Sequence, residues 1–372
     1  MSGNRLKKAV CACLVLAASS AFAGAMDTEL MGPETLKPTF IDIPVGTFIM
    51  GSTVEEAGRQ EDEVSHKVIL TKDFQMQTTE VTQFQFASVM GYNPSRFKGK
   101  PYCPDDYLII QYKRSVVFYD KPDRGNFVTK EVKMCPSNPV ENVSWDEAQG
   151  FISKLNRKDD GYTYRLPTEG EWEYAARAET TTTFNLGNAS AALVNVNYNG
   201  PNSRGQTVSV ASLPNSNKWG LFDMHGNVGE WVQDVYGSYF NTQSSCAIDI
   251  PLVNLVNKIP FVNIPPANCK EWSATDPKGL APAFFTDAEK NGSLTNYDQV
   301  IRGGGWMDTA EGVRSAKRSK EWRGRHKQDV GFRLVRTSKK ESPELPDCTE
   351  ETVCEFPPCE FCRYVPTPGR EE

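Results

Sequence analysis

The sequence predicts an α+β fold with little regular secondary structure, and three observations predict it. Short stretches near the start alternate apolar residues with small or polar ones. Helical segments follow, each preceded by a Ser or Thr able to cap it. From about Thr180 to Val300, Asn, Gly and Ser dominate and no long periodic segment appears. With 28 Gly and 24 Pro in 372 residues, a turn-rich fold is favoured over a helix bundle.

Taken in order, the N-terminus is a targeting segment. Arg5, Lys7 and Lys8 are positive, Ala9 to Ala18 is apolar, and Ala21-Phe22-Ala23 offers small residues for cleavage. The run is shorter than the roughly 20 residues that span a bilayer. Residues 1–23 therefore read as a cleavable signal peptide, and the mature chain as periplasmic or secreted. No later stretch is long and apolar enough for a membrane helix.

Phe40 to Gly51 and Val64 to Phe74 carry the strand pattern. Thr82 caps a helix over Gln83 to Met90. Ser144 caps a second over Asp146 to Arg157, with Glu147 completing a capping box. Thr168 caps a third, with Glu171 at the third helical position and Trp172, Ala175 and Ala176 turned to the core. Long structureless stretches are uncommon unless something holds them, so metal ions or disulfides are expected to brace the part after Thr180. Residues 338–372 are rich in Pro, Glu and Cys and read as a tail.

Eight cysteines remain beyond the signal: Cys103, Cys135, Cys246, Cys269, Cys348, Cys354, Cys359 and Cys362. An even number in an exported chain reads as disulfides. The Cys359–Cys362 spacing also suits half of a zinc site, but no second such pair or nearby His accompanies it. A net charge of -6 argues against nucleic acid as a partner. No phosphate loop, nucleophile elbow or HExxH helix occurs.

Several motifs, in one order, resemble the formylglycine-generating enzyme (sulfatase-modifying factor) family. They are Ile43 to Gly51, Thr79-Glu-Val-Thr-Gln83, Asn93-Pro-Ser95, Pro139 to Trp145, Tyr164 to Arg177, Gly220 to Trp231, Arg302 to Trp306 and Gly331 to Val335. The resemblance covers residues 40–336 and implies one large sulfatase-modifying-factor-type domain, C-type lectin-like in fold. Against the family's spacing, about 99–137 and 237–296 are insertions, each with two cysteines. Cys103–Cys135 and Cys246–Cys269 are the expected pairs, since a disulfide offsets the entropy of ordering a long insertion. The tail cysteines are expected to pair among themselves.

The resemblance also implies calcium, held by the side chains of Asp223 and Glu230 and the carbonyls of Gly226 and Val228. Hard oxygen ligands of this mixture suit that ion. A second site maps onto Asn197 and the carbonyl of Tyr198, with further ligands near Asn202 and Arg204. By spacing alone both segments could equally be tight turns. Copper is not expected. The family's reaction oxidises a substrate cysteine with copper(I) held by two cysteines, and the matching positions here are Asp308 and Val313. Gly229 stands where the family usually has Trp, a change expected to open space beside Glu230. Iron-binding relatives use a separate His-rich domain, whereas the mature chain carries only His66, His225 and His326.

One basic segment stands out in this acidic chain: Arg314, Lys317, Arg318, Lys320, Arg323, Arg325 and Lys327, with Trp322 among them. Trp306, Lys320, Trp322, Arg323 and Arg325 are candidate contacts for a protein or anionic ligand. Solvated charge is the alternative, and Arg314, Arg318 and Arg333 also suit internal ion pairs. The function expected is that of an exported, calcium-braced binding or maturation module. The alternative is an oxidase or other modifying enzyme working from a different site.

Overall fold

The computed structural model describes residues 37–116, 126–201, 203–237, 273–277, 298–339, 347–348 and 363–364. Residues 1–23, where a signal peptide is expected, Cys246, Cys269 and the side chains of the tail cysteines lie outside the described residues.

Four strands open the chain: β1 (Phe40–Ile43), β2 (Gly46–Met50), β3 (His66–Leu70) and β4 (Phe74–Gln77). Each expected strand segment is thus two strands, the first broken at Pro44-Val45, where proline removes a donor from the ladder. Helix α1 (Gln83–Met90) follows, then an antiparallel hairpin of β5 (Leu108–Val116) and β6 (Asn126–Met134). Next come α2 (Trp145–Asn156), β7 (Tyr162–Arg165) and α3 (Glu169–Arg177). All three helices carry the expected N-cap, and each has a complete capping box.

The rest is β8 (Gly229–Val235), β9 (Ser273–Thr275), β10 (Asp298–Arg302), β11 (Ser319–Trp322), β12 (Val330–Gly331) and β13 (Val335–Ser338). Two short tail strands, β14 (Asp347–Cys348) and β15 (Arg363–Tyr364), pair in parallel. One sheet runs β1-β4-β13-β7 and a second runs β11-β10-β8-β12. A third, β2-β3-β9, flanks them. Strand β8 falls inside the stretch expected to be irregular. It is buried along nearly its whole length and lies between two neighbours, so the alternation that marks a half-exposed strand is absent.

Two large apolar cores and two smaller clusters lie among the described residues. One large core gathers Met50, Val68, Met76, Trp172, Ala175, Ala176 and Val300, the other Phe86, Val143, Phe151, Trp231, Ile301 and Phe332. Cys103 and Cys135 are disulfide-bonded, with Cα atoms 5.7 Å apart, and close the base of the β5–β6 hairpin. The irregular part is braced by buried amides. Asn217 donates to the Ala175 carbonyl at 2.7 Å and accepts from the backbone N–H of Trp219 and Leu221.

Candidate functional site

The loop from Asp223 to Glu230 runs into β8, which places Glu230 against α3 and the chain after β12. Glu230 is fully buried and accepts from Arg333 Nε and Nη2, both at 2.7 Å, and from Trp172 Nε1 at 2.8 Å. Arg333, also fully buried, spends its remaining donors on the carbonyls of Gln77, Thr78 and Phe222. Sequence reading placed Glu230 in a cation shell; in the structure its Oε2 accepts from Arg333 and Trp172 and its Oε1 from Arg333.

Asp223 sits in the left-handed region at φ 58° and is buried. Its carboxylate accepts from the Ala211 N–H at 2.8 Å and from Asn215 Nδ2 at 2.9 Å. Gly226 must lack a side chain, because a Cβ there would lie 2.6 Å from the Asn197 carbonyl oxygen. Beside Asp223 stands Glu80, fully buried, which sequence reading had quoted in a motif without assigning it a role. Its Oε1 accepts from Asn227 Nδ2 at 3.0 Å, and its Oε2 has no partner. Burial, and then the charge of Asp223, push the Glu80 carboxyl well above the usual carboxylate range. Burial raises Asp223 too.

Asn227 links this loop to the second expected site. Its Oδ1 accepts from Asn197 Nδ2 at 3.3 Å and from the Val208 N–H at 3.0 Å. Asn197 is buried, and its own Oδ1 lacks a partner. The Tyr198 carbonyl accepts from the Gly200 N–H. An unpartnered buried oxygen is costly, so Asn197 in the second expected site and Glu80 beside the first each hold one atom that would gain from a cation or water. No group of three or more His, Cys, Asp or Glu among the described residues forms a metal shell. Any cation here therefore relies on carbonyl and amide oxygens beside one or two carboxylates.

At the positions of the family's cysteine pair, both residues are occupied with other work. Asp308 Oδ2 accepts from the Gly305 N–H at 2.8 Å, and its carbonyl accepts from the Asn199 N–H. Val313 is buried in an apolar cluster with Phe184, Leu193, Val196 and Tyr198. The space expected at Gly229 is closed. A Cβ there would meet Ile301 Cγ2 at 2.9 Å, because β8 and β10 pack tightly at this point.

Trp306 is half-buried and packs edge-on against Phe97. His225 is buried, with Nδ1 against the Val313 carbonyl and Nε2 accepting from the Asn185 N–H at 3.0 Å. Burial pushes its pKa down to about 4. It is a neutral structural imidazole with both nitrogens engaged.

The basic segment divides. Arg314 binds the buried Glu63 and the half-buried Glu56, and Arg318 binds the buried Glu169. Arg323 pairs with Asp146 and lies over the Trp145 ring. Lys320 lies 3.3 Å from Asp298, His326 2.8 Å from Glu147 and Lys327 3.7 Å from Asp329. Lys320, Trp322 and Arg325 remain exposed. No helix among the described residues is long and apolar enough to cross a membrane.

The family model of the sulfatase-modifying factor enzyme 1-like domain matches residues 27–338. Chaperone protein LppX of Paenibacillus barcinonensis is 33% identical over 189 residues, which cover 45% of this chain and 64% of that protein. The match thus spans less than two thirds of LppX. The formylglycine-generating enzyme of Mycobacterium tuberculosis is 27% identical over 228 residues, 52% of this chain and 72% of the enzyme. Among solved structures, Treponema denticola variable protein 1 has the same fold, with a TM-score of 0.54 at 24% identity over 80% of this chain and 94% of that one. With the matched region running through both apolar cores and the Asp223–Glu230 loop, this chain belongs to the sulfatase-modifying factor enzyme 1-like family.

Proposed function

We propose that this chain is an exported, calcium-braced family member that works as a binding or maturation module and does not generate formylglycine. One observation carries the reading. Where the family's copper(I) chemistry needs two thiolates, this chain has a turn-capping carboxylate, Asp308, and a buried aliphatic side chain, Val313. Neither is a soft ligand. Similarity to a protein named as a chaperone is in keeping with a maturation role.

Calcium, when bound, would supply a fixed positive charge at the Asp223 loop and neutralise buried carboxylate. The residues fit it there and at the second site, since Glu80 Oε2 beside the loop and Asn197 Oδ1 in the second site are buried oxygens without partners. The partner surface in this reading centres on Lys320, Trp322 and Arg325, with Arg323 next to Trp322 in the chain. The exposed pair between Lys320 and Asp298 is weak, so a ligand anion can replace it at little cost.

The test offers the purified protein copper(I), oxygen and a peptide carrying a sulfatase cysteine motif, with mass spectrometry as the readout. No conversion of the cysteine is expected. Copper-dependent conversion would overturn the reading.

A further inference from the structure

The β5–β6 hairpin is held to the domain at its base. The Cys103–Cys135 disulfide closes it, Asn93 Nδ2 donates to the Lys133 carbonyl at 3.0 Å, and Val132, Met134 and Ile110 pack on Phe84 and Ala87 of α1. The ladder then continues from Gln111 opposite Glu131 to Val116 opposite Asn126. At about 3.4 Å per residue this carries the strands roughly 20 Å past Ile110. Among the described residues no third strand joins them, and a two-stranded ladder on its own is marginal in water.

Positive charge and apolar surface gather at this end. The turn that meets the base exposes Arg96, Lys98 and Lys100 in alternation with buried Ser95, Phe97 and Gly99, and Lys133 is exposed on β6. Beside them Leu108 and Ile109 are 37% and 41% exposed, with Ile109 across the ladder from Lys133. Farther out, the register puts Tyr112 across from Lys130, Lys113 across from Thr129 and Arg114 across from Val128. Asp105 and Glu131 are exposed here as well, and the Asp106 carboxylate accepts from the Ser137 N–H. Glu141, beneath the turn, keeps its proton at neutral pH, since burial pushes its pKa up to about 8. The turn and the paired strands so hold seven cations against the carboxylates of Asp105, Asp106 and Glu131, in a chain whose net charge is -6.

We infer that this end of the molecule, the 93–100 turn with the β5–β6 hairpin, is a docking surface for an anionic phospholipid bilayer. Lys and Arg are drawn to such a surface, each with roughly a fivefold gain in binding. Exposed Leu108 and Ile109, and Tyr112 on the rung of Lys130, are residue types that settle at the boundary between headgroups and acyl chains. Exposed aliphatic groups gain nothing from a free anion, whereas a bilayer offers both charge and an apolar layer. The inference goes beyond the partner surface at Lys320, Trp322 and Arg325, and depends neither on calcium nor on the lost thiolates.

The experiment is cosedimentation of the mature chain with vesicles of phosphatidylglycerol and phosphatidylcholine, and with vesicles of phosphatidylcholine alone. Wild type should bind the first and not the second, and added salt should weaken the binding. Lys113→Glu, Arg114→Glu and Lys130→Glu together should weaken it at least about thirtyfold. The same charge change on other elements, at exposed Lys67, Lys72 and Lys154, should weaken it less than about threefold, because salt screens charges that do not meet the bilayer. Leu108→Ser with Ile109→Ser should remove the part of the binding that survives salt. If the charge-reversed hairpin does not fold, Arg96→Gln, Lys100→Gln and Lys133→Gln together decide by the same assay, since all three residues are exposed, and a loss of about tenfold or more is expected. Wild type that ignores phosphatidylglycerol vesicles, or hairpin variants that bind them as tightly as wild type, would overturn the assignment. Full inhibition by millimolar glycerol phosphate would overturn it too, because the site would then take a free phosphate and not a bilayer.

Discussion

Arg333 and Glu230 illustrate how much of this protein's stability is placed in single buried pairs. Both are fully buried and joined by two hydrogen bonds. Removing one partner strands the other charge, so Arg333→Met should cost about 3–5 kcal/mol in chemical denaturation. Adding Glu230→Leu should recover part of that loss, since no charge is then left alone. Glu141 makes a second residue-scale case. It is buried beneath the Asn93–Phe97 turn, its Oε1 accepts from the Phe97 N–H, and burial pushes its pKa up to about 8. The folded state therefore holds a proton that the unfolded chain releases near 4.5, and stability falls as pH rises from 4.5 through about 8. Glu141→Gln should flatten that decline, by up to about 1.4 kcal/mol per pH unit, in melts followed across the window. An unchanged slope would contradict the assignment. Neither residue could be identified this way from sequence. A Glu beside Val140 or Trp231 carries no local sign of its burial, which is set by elements far along the chain.

Elements were legible where their own side chains end them. Ser144 and Thr168 each accept from the N–H three residues on, with a Glu returning the bond. Ser144→Ala should cost about 1 kcal/mol, measured by denaturation. Strand β8 was not legible, because Gly229 to Val235 buries both faces and shows no alternation. Nor was the closing of space at Gly229, which depends on Ile301 from another strand. The insertion around Cys103 and Cys135 is a hairpin closed at its base, with 32 residues of sequence separation. Loop-closure entropy puts that bond at about 3–4 kcal/mol, and the Cys103→Ser, Cys135→Ser double variant should lose a stability of that size.

At the scale of the whole molecule, the family motifs were legible because they are strung through the cores in order, from Ile43 to Val335. The charge asymmetry resolves into both readings it allowed: Arg314 and Arg318 make the internal ion pairs expected of them, and Arg323, expected to meet a partner, pairs within the chain instead. Arg314, Arg318 and Arg323 meet carboxylates at Glu63, Glu169 and Asp146, each well over a hundred residues away. A basic run in sequence is therefore no basic face in space, and the surface left for a partner narrows to Lys320, Trp322 and Arg325. The same scaffold keeps buried oxygens without partners at Glu80 and Asn197 while giving up the thiolates at Asp308 and Val313. The central claim, a hard-cation scaffold without a copper centre, is tested most directly by elemental analysis of the mature protein purified without chelator. Calcium near one or two equivalents with no copper is the predicted result. Stoichiometric copper would contradict it.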